Sequence, residues 1–162
     1  TTSSSFACDL KKWLQIMETY EGGGHAYHAT MPTDALTKTR DVMAETRRLG
    51  FARLRTAQQQ LGDRVRALLE RQGCASVAAE GFQAPGVVVS YTTDTGMATA
   101  RSFGALGLLR AAGVPLQCDE GADFKTFRIG LFGLDKLQHI DRTVANLEQA
   151  LAQIAGEQRQ AA

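Results

Sequence analysis

The chain has 162 residues, 44% of them hydrophobic, which is enough for one domain with a real core. Its 18 basic and 17 acidic side chains leave a net charge of +1, so it lacks the basic footprint of a nucleic-acid or anionic-membrane binder. No apolar run nears the roughly 18–20 residues that a membrane span requires. The three cysteines, Cys8, Cys74 and Cys118, are scattered; they form neither a disulfide framework nor a metal-ligand spacing, and fit a reducing, cytoplasmic compartment.

Thr1 to Ser5 has neither an initiator Met nor the charged and apolar regions of a signal peptide, and reads as a cut inside a longer protein. Leu10, Trp13, Leu14, Ile16, Met17 and Tyr20 recur at helical spacing. This predicts an amphipathic helix capped by a serine or Asp9 and stopped at Gly22-Gly23-Gly24. His25 to Pro32 has no period and is expected to be an irregular connection. Thr33 or Asp34 then caps a helix carrying Leu36, Val42, Met43 and Leu49, with a break or bend at Gly50. A longer helix follows through Leu54, Leu61, Val65, Leu68 and Leu69 to near Gly73. Its face of Arg53, Arg55, Gln58, Gln59, Arg64, Arg66 and Arg71 is a solvated surface more readily than a phosphate-binding one, given the neutral total charge.

Past Pro85 the pattern changes. Gly86 to Thr92 is β-branched and aromatic, a strand. Met97 to Ala112 returns to helix, stopped by Gly113. Val114 to Cys118 reads as a short strand, whose Pro115 suggests an edge or a strand start. Phe124 to Phe132 is a second good strand. Leu137, Ile140, Val144, Leu147, Leu151 and Ile154 give the cleanest helical period, with Asp135 at the positive end of that helix. Gly156 to Ala162 is a polar tail expected to fray. The fold class is therefore α+β: a small antiparallel or mixed sheet of about three strands with helices packed on it.

Few residues invite chemistry. His25 and His28 lie close together, but no carboxylate or cysteine stands beside them at ligand spacing, so no metal site is expected; His139 reads as a surface residue of the last helix. Arg128 interrupts an apolar strand. With a period of two it shares a face with Gly130 and Phe132, while Phe127, Ile129 and Leu131 occupy the other. Such an arginine either reaches solvent or a salt-bridge partner, or clasps an anion with its planar fork. Tyr27 and Thr30 stand just before a helix start, where two hydroxyls suit a phosphate; from the residues alone, a packed ring and a local cap are the simpler explanation.

Taken in order, Trp13 to Glu21, Tyr27-His28-Ala29-Thr30-Met31-Pro32, Phe127-Arg128-Ile129-Gly130 and the amphipathic last helix resemble the C-terminal part of class V, fold-type I aminotransferases that use pyridoxal 5′-phosphate (PLP). The alanine–glyoxylate and serine–glyoxylate transaminases are the nearest group. The resemblance implies a homodimeric transaminase that moves an amino group between a small amino acid and a 2-oxo acid such as glyoxylate or pyruvate. Residues 1–32 would lead in from a large PLP-binding domain, residues 33–155 would form the small C-terminal domain, and 156–162 the tail. Tyr27 and Thr30 match the family's ligands to the phosphate of the PLP held by the other subunit, and Arg128 matches its arginine for the substrate α-carboxylate. The family's PLP-binding lysine sits in a Ser-x-Lys loop upstream of the Tyr-x-x-Thr stretch. None of Lys11, Lys12, Lys38, Lys125 and Lys136 has that context, so the chain alone is expected neither to transaminate nor to bind the cofactor.

Ala29 and Met31 depart from the Thr- or Pro-rich versions of the loop, and Gln160-Ala161-Ala162 is no peroxisomal address. Two other readings stand beside the transaminase. One is a different class V reaction, whether a lyase, an aminoethylphosphonate transaminase or a desulfurase; the last would need a catalytic cysteine, and Cys118 has acidic rather than basic neighbours. The other is a non-catalytic α+β interaction module.

Overall fold

A computed structural model describes residues 8–28, 30, 32–108, 111–117, 119–121 and 123–161. They fall into two compact units, Thr1–Ala44 and Glu45–Ala162, with the division inside one helix.

In the first unit, α1 (Leu10–Glu21) begins where the Asp9 carboxylate accepts the Lys12 N–H at 3.1 Å, satisfying one of the free donors of the first turn. It ends as the glycines require: Gly23 takes a left-handed φ of 79°, and the Gly22 and Gly24 N–H groups close back onto the Glu18 and Thr19 carbonyls. No side chain of α1 is buried, and Leu10, Leu14, Met17 and Tyr20 are exposed. The following loop lies along the helix, with His25 edge-on to Tyr20 and His28 edge-on to Trp13. Next comes α2 (Thr33–Leu49), with Asp34 in its first turn and Arg47 and Arg48 in its last, both favourable to the helix dipole.

The second unit holds the core. Gly50, at φ 90°, separates α2 from α3 (Phe51–Arg71). Then come β1 (Val87–Tyr91), two short helices α4 (Thr95–Ala98) and α5 (Arg101–Ala105), β2 (Ala111–Ala112), β3 (Thr126–Gly130), α6 (Leu134–Gln138) and α7 (Ile140–Ala161). The sheet order is β1-β3-β2, and β3 is antiparallel to both neighbours. The unit is thus α+β with a three-stranded sheet, as expected. The register sets Val88 opposite Ile129 and Ser90 opposite Phe127, and this face of the sheet is buried. Leu61, Val65, Leu68 and Leu69 of α3 and Val144, Leu147, Leu151 and Ile154 of α7 cover it, together with Phe103 and Met97.

Four expectations need correction. The helix expected over Met97–Ala112 is broken: Ala100 adopts a left-handed φ of 66° and Gly107 one of 70°, and among the described residues of that stretch only α4 and α5 are helical. The strand expected at Val114–Cys118 lies upstream instead, at Ala111–Ala112. Pro115 offers no N–H to a ladder and Gln117 turns to φ 60°; Cys118 lies outside the described residues. The last helix is divided at His139, whose φ of −131° and ψ of 55° end α6, and α7 then spans Ile140–Ala161. Finally, Arg66 is not on the solvated face of α3 but buried: it donates from Nη2 to the Ala84 and Val87 carbonyls.

Candidate active site

Tyr27 and Thr30 belong to the first unit. The loop between α1 and α2 brings their hydroxyls within 3.3 Å of each other, both exposed, ahead of the first turn of α2. An adjacent pair of hydroxyls offers two donors to one oxyanion, and the unpaired N–H groups of a helix start lie close by in sequence. The Asp34 carboxylate in that first turn opposes an anion and sets a limit on the attraction. Neither hydroxyl caps α2 in a hydrogen bond seen among the described residues, and the Tyr27 ring is 75% exposed, so the packed-ring explanation has no support.

Arg128 belongs to the second unit, on the middle strand. Its alternating neighbours behave as the period of two requires: Phe127, Ile129 and Leu131 are buried in the core, and Phe132 is exposed on the opposite face. Across the sheet Arg128 is paired with Val89 on one side and Ala111 on the other, so short or apolar side chains flank it. It is half-buried, and its Nε donates to the Ala112 carbonyl at 3.0 Å. Among the described residues no carboxylate pairs with it, whereas Arg40, Arg64, Arg71 and Arg142 all have acidic partners. A salt bridge therefore does not account for an arginine at the centre of the sheet.

The remaining candidates separate cleanly. Among the described residues no three His, Cys, Asp or Glu side chains are grouped as metal ligands. Lys11 and Lys12 lie on α1, Lys38 on α2 and Lys125 beside β3, while Lys136 on α6 donates to the Phe132 carbonyl at 2.8 Å. Cys74 is buried, and desolvation together with the nearby Asp94 carboxylate pushes its thiol pKa up, the opposite of what a nucleophile needs. The arginines of α3 serve the fold or face solvent; Arg64 reaches Asp141 of α7 at 2.5 Å. Missed in the sequence was the Ala112 carbonyl as a partner of Arg128. A main-chain oxygen leaves no mark in a residue pattern.

No known family profile matches the chain, and no curated protein matches it. Among solved structures, the alanine–glyoxylate aminotransferase of Nostoc sp. is similar to it, with a TM-score of 0.68 over 93% of this chain at 21% identity. That is the fold of this chain. The similarity extends over 39% of the Nostoc chain, so the present chain spans about two-fifths of that enzyme. Among the described residues no helix is long and apolar enough to cross a membrane.

Proposed function

We propose that the chain is the C-terminal part of a cytoplasmic PLP-dependent transaminase that moves an amino group between a small amino acid and a 2-oxo acid such as glyoxylate or pyruvate. The observation that carries this reading is Arg128. It is a half-buried guanidinium on the central strand of an aminotransferase-like fold, with no acidic partner among the described residues and its two Nη groups left for a ligand. A planar fork suits a carboxylate through two parallel hydrogen bonds, and both the amino acid and the 2-oxo acid carry one.

Of the cofactor, the residues present fit only the phosphate. The Tyr27 and Thr30 hydroxyls, 3.3 Å apart, would donate to its oxygens, and in a homodimer that phosphate belongs to the cofactor held by the other subunit. When bound, PLP supplies the electron sink that amino-group transfer needs. The chain's own contribution is positional: Arg128 fixes the carboxylate end of the substrate and so orients the group at its α-carbon. Residues 1–32 then lead in from a large domain that carries the lysine and the cofactor, and residues 33–155 form the small domain.

In the full-length polypeptide, Arg128→Ala should lower kcat/KM for amino-acid and 2-oxo-acid substrates by roughly 10- to 100-fold, the scale of a lost charge-assisted hydrogen bond. Tyr27→Phe with Thr30→Ala should weaken PLP retention, read from cofactor absorbance after dialysis. Unchanged specificity constants in the Arg128 variant would remove the reading.

A further inference from the structure

We infer that Ala112 and Gly113 are positioning residues for Arg128, and that they make it meet a carboxylate end-on; the inference rests on the carboxylate role just proposed. A guanidinium has two edges that can hold a carboxylate with paired N–H groups: the side edge formed by Nε and one Nη, and the end formed by both Nη. In this chain Nε is committed, donating to the Ala112 carbonyl at 3.0 Å. The side edge is therefore closed, and the open end is the Nη pair. The direction from which a carboxylate approaches follows from where that carbonyl is held.

The carbonyl is held by a two-residue strand. β2 pairs Ala111 with Arg128 and Ala112 with Phe127, and so short a ladder needs further restraint to stay in place. Gly113 supplies it. Its N–H donates to the Ala98 carbonyl at the end of α4 at 3.2 Å. Its Cα lies so close to β3 that a Cβ would overlap the carbonyl oxygen and Oγ1 of Thr126. Thr126 is buried and its carbonyl is part of the central strand, so neither atom can give way cheaply. Any side chain at position 113 must push β2 off β3 and carry the Ala112 carbonyl away from Nε. Glycine is needed here for close approach of two backbones. Ala111, the cross-strand neighbour of Arg128 on the same face, keeps that edge free of bulk beside the guanidinium.

The test is a double-mutant cycle in the full-length polypeptide, with the Nε proton observed separately in the 162-residue chain. Gly113→Ala should raise KM for carboxylate substrates by roughly 5- to 10-fold with kcat changed less than about twofold, and should cost nothing further in an Arg128→Ala background. A Gly113 effect that persists undiminished without Arg128 overturns the positioning role while leaving the carboxylate reading intact. An Arg128→Ala variant with normal kinetics overturns both. Because Gly113→Ala is open to the objection that it harms folding, the unmutated chain gives the second measurement. In nitrogen-detected spectra the Arg128 Nε–H should exchange with water at least about tenfold more slowly than that of exposed Arg53, as an N–H bonded to a carbonyl does. Equal exchange at the two arginines would show that Nε is not held, and the inference would fall.

Discussion

Arg66 is a charged side chain on the core-facing stripe of α3, one turn from Gly62 and two from Gln58, and all three meet the segment leading into β1. Gln58 donates to the Pro85 carbonyl at 2.9 Å, Arg66 to the Ala84 and Val87 carbonyls, and a Cβ on Gly62 would stand 2.8 Å from the Pro85 oxygen. Burial lowers the Arg66 pKa from its ordinary value, while the nearby Asp63 and Glu70 carboxylates pull it back up. Only Nη2 finds acceptors among the described residues, while Nε and Nη1 are buried without a hydrogen-bond partner. Arg66→Ala would strand two carbonyls and open a void. It is expected to cost about 2–4 kcal/mol, against less than about 0.5 kcal/mol for Arg53→Ala on the exposed face. Urea denaturation of the two variants measures the difference, and equal midpoints would mean that the clamp on Ala84–Val87 contributes nothing.

At the scale of elements, an exposed ion pair links α6 to α7. Asp135, in the first turn of α6, accepts from Arg142 of α7 at 2.6 Å across the break at His139. That hydrogen bond is the chief cause holding the Asp135 carboxyl below its usual range, with Arg142, His139 and Lys136 charges adding to it and desolvation opposing. A folded pKa below the unfolded one gives stabilisation that is complete above the unfolded value, about 3.9, and is lost as pH falls through the depressed one. Asp135→Asn should therefore lower Tm at pH 6, and the gap to the unmutated chain should narrow as pH falls below about 3.9 and close once the Asp135 carboxyl is protonated. A gap that persists undiminished in acid would assign the effect to packing rather than charge. The legible elements were those with an unbroken period. Leu61 to Leu69 and Val144 to Ile154 announced their helices, and Val87 to Tyr91 its strand. What stayed hidden was short or non-local: a left-handed Ala100, a strand of two alanines, and a buried arginine whose acceptors lie 18 and 21 residues away. Arg128 and the Tyr27–Thr30 pair stood out as residue types in an unusual setting. Only coordinates could show that the two hydroxyls meet and that no acid pairs with the arginine among the described residues.

Across the whole molecule, the two units differ in what holds them. Among the described residues every fully buried large side chain lies in the second, in the core between the sheet and its helices, whereas α1 and α2 bury none. Burying a single leucine or phenylalanine is worth about 1.5–3 kcal/mol, so a unit without such burial relies on its helices' hydrogen bonds and caps, which are marginal for a 12-residue helix such as α1. Local opening should follow that division, since protection rises with the apolar contacts that an opening must break. In native-state hydrogen exchange the amides of α1 are expected to exchange at least about a hundredfold faster than those of Leu61–Leu69, Phe127–Ile129 and Val144–Leu151. The latter three sets should exchange together with the global unfolding energy, because they share one core. Protection of α1 equal to that of α3 would mean that the first unit is stabilised by contacts beyond its own residues. A dilution series in the same experiment decides whether another copy of the chain supplies them, because protection from that source would fall with concentration while that of α3 would not.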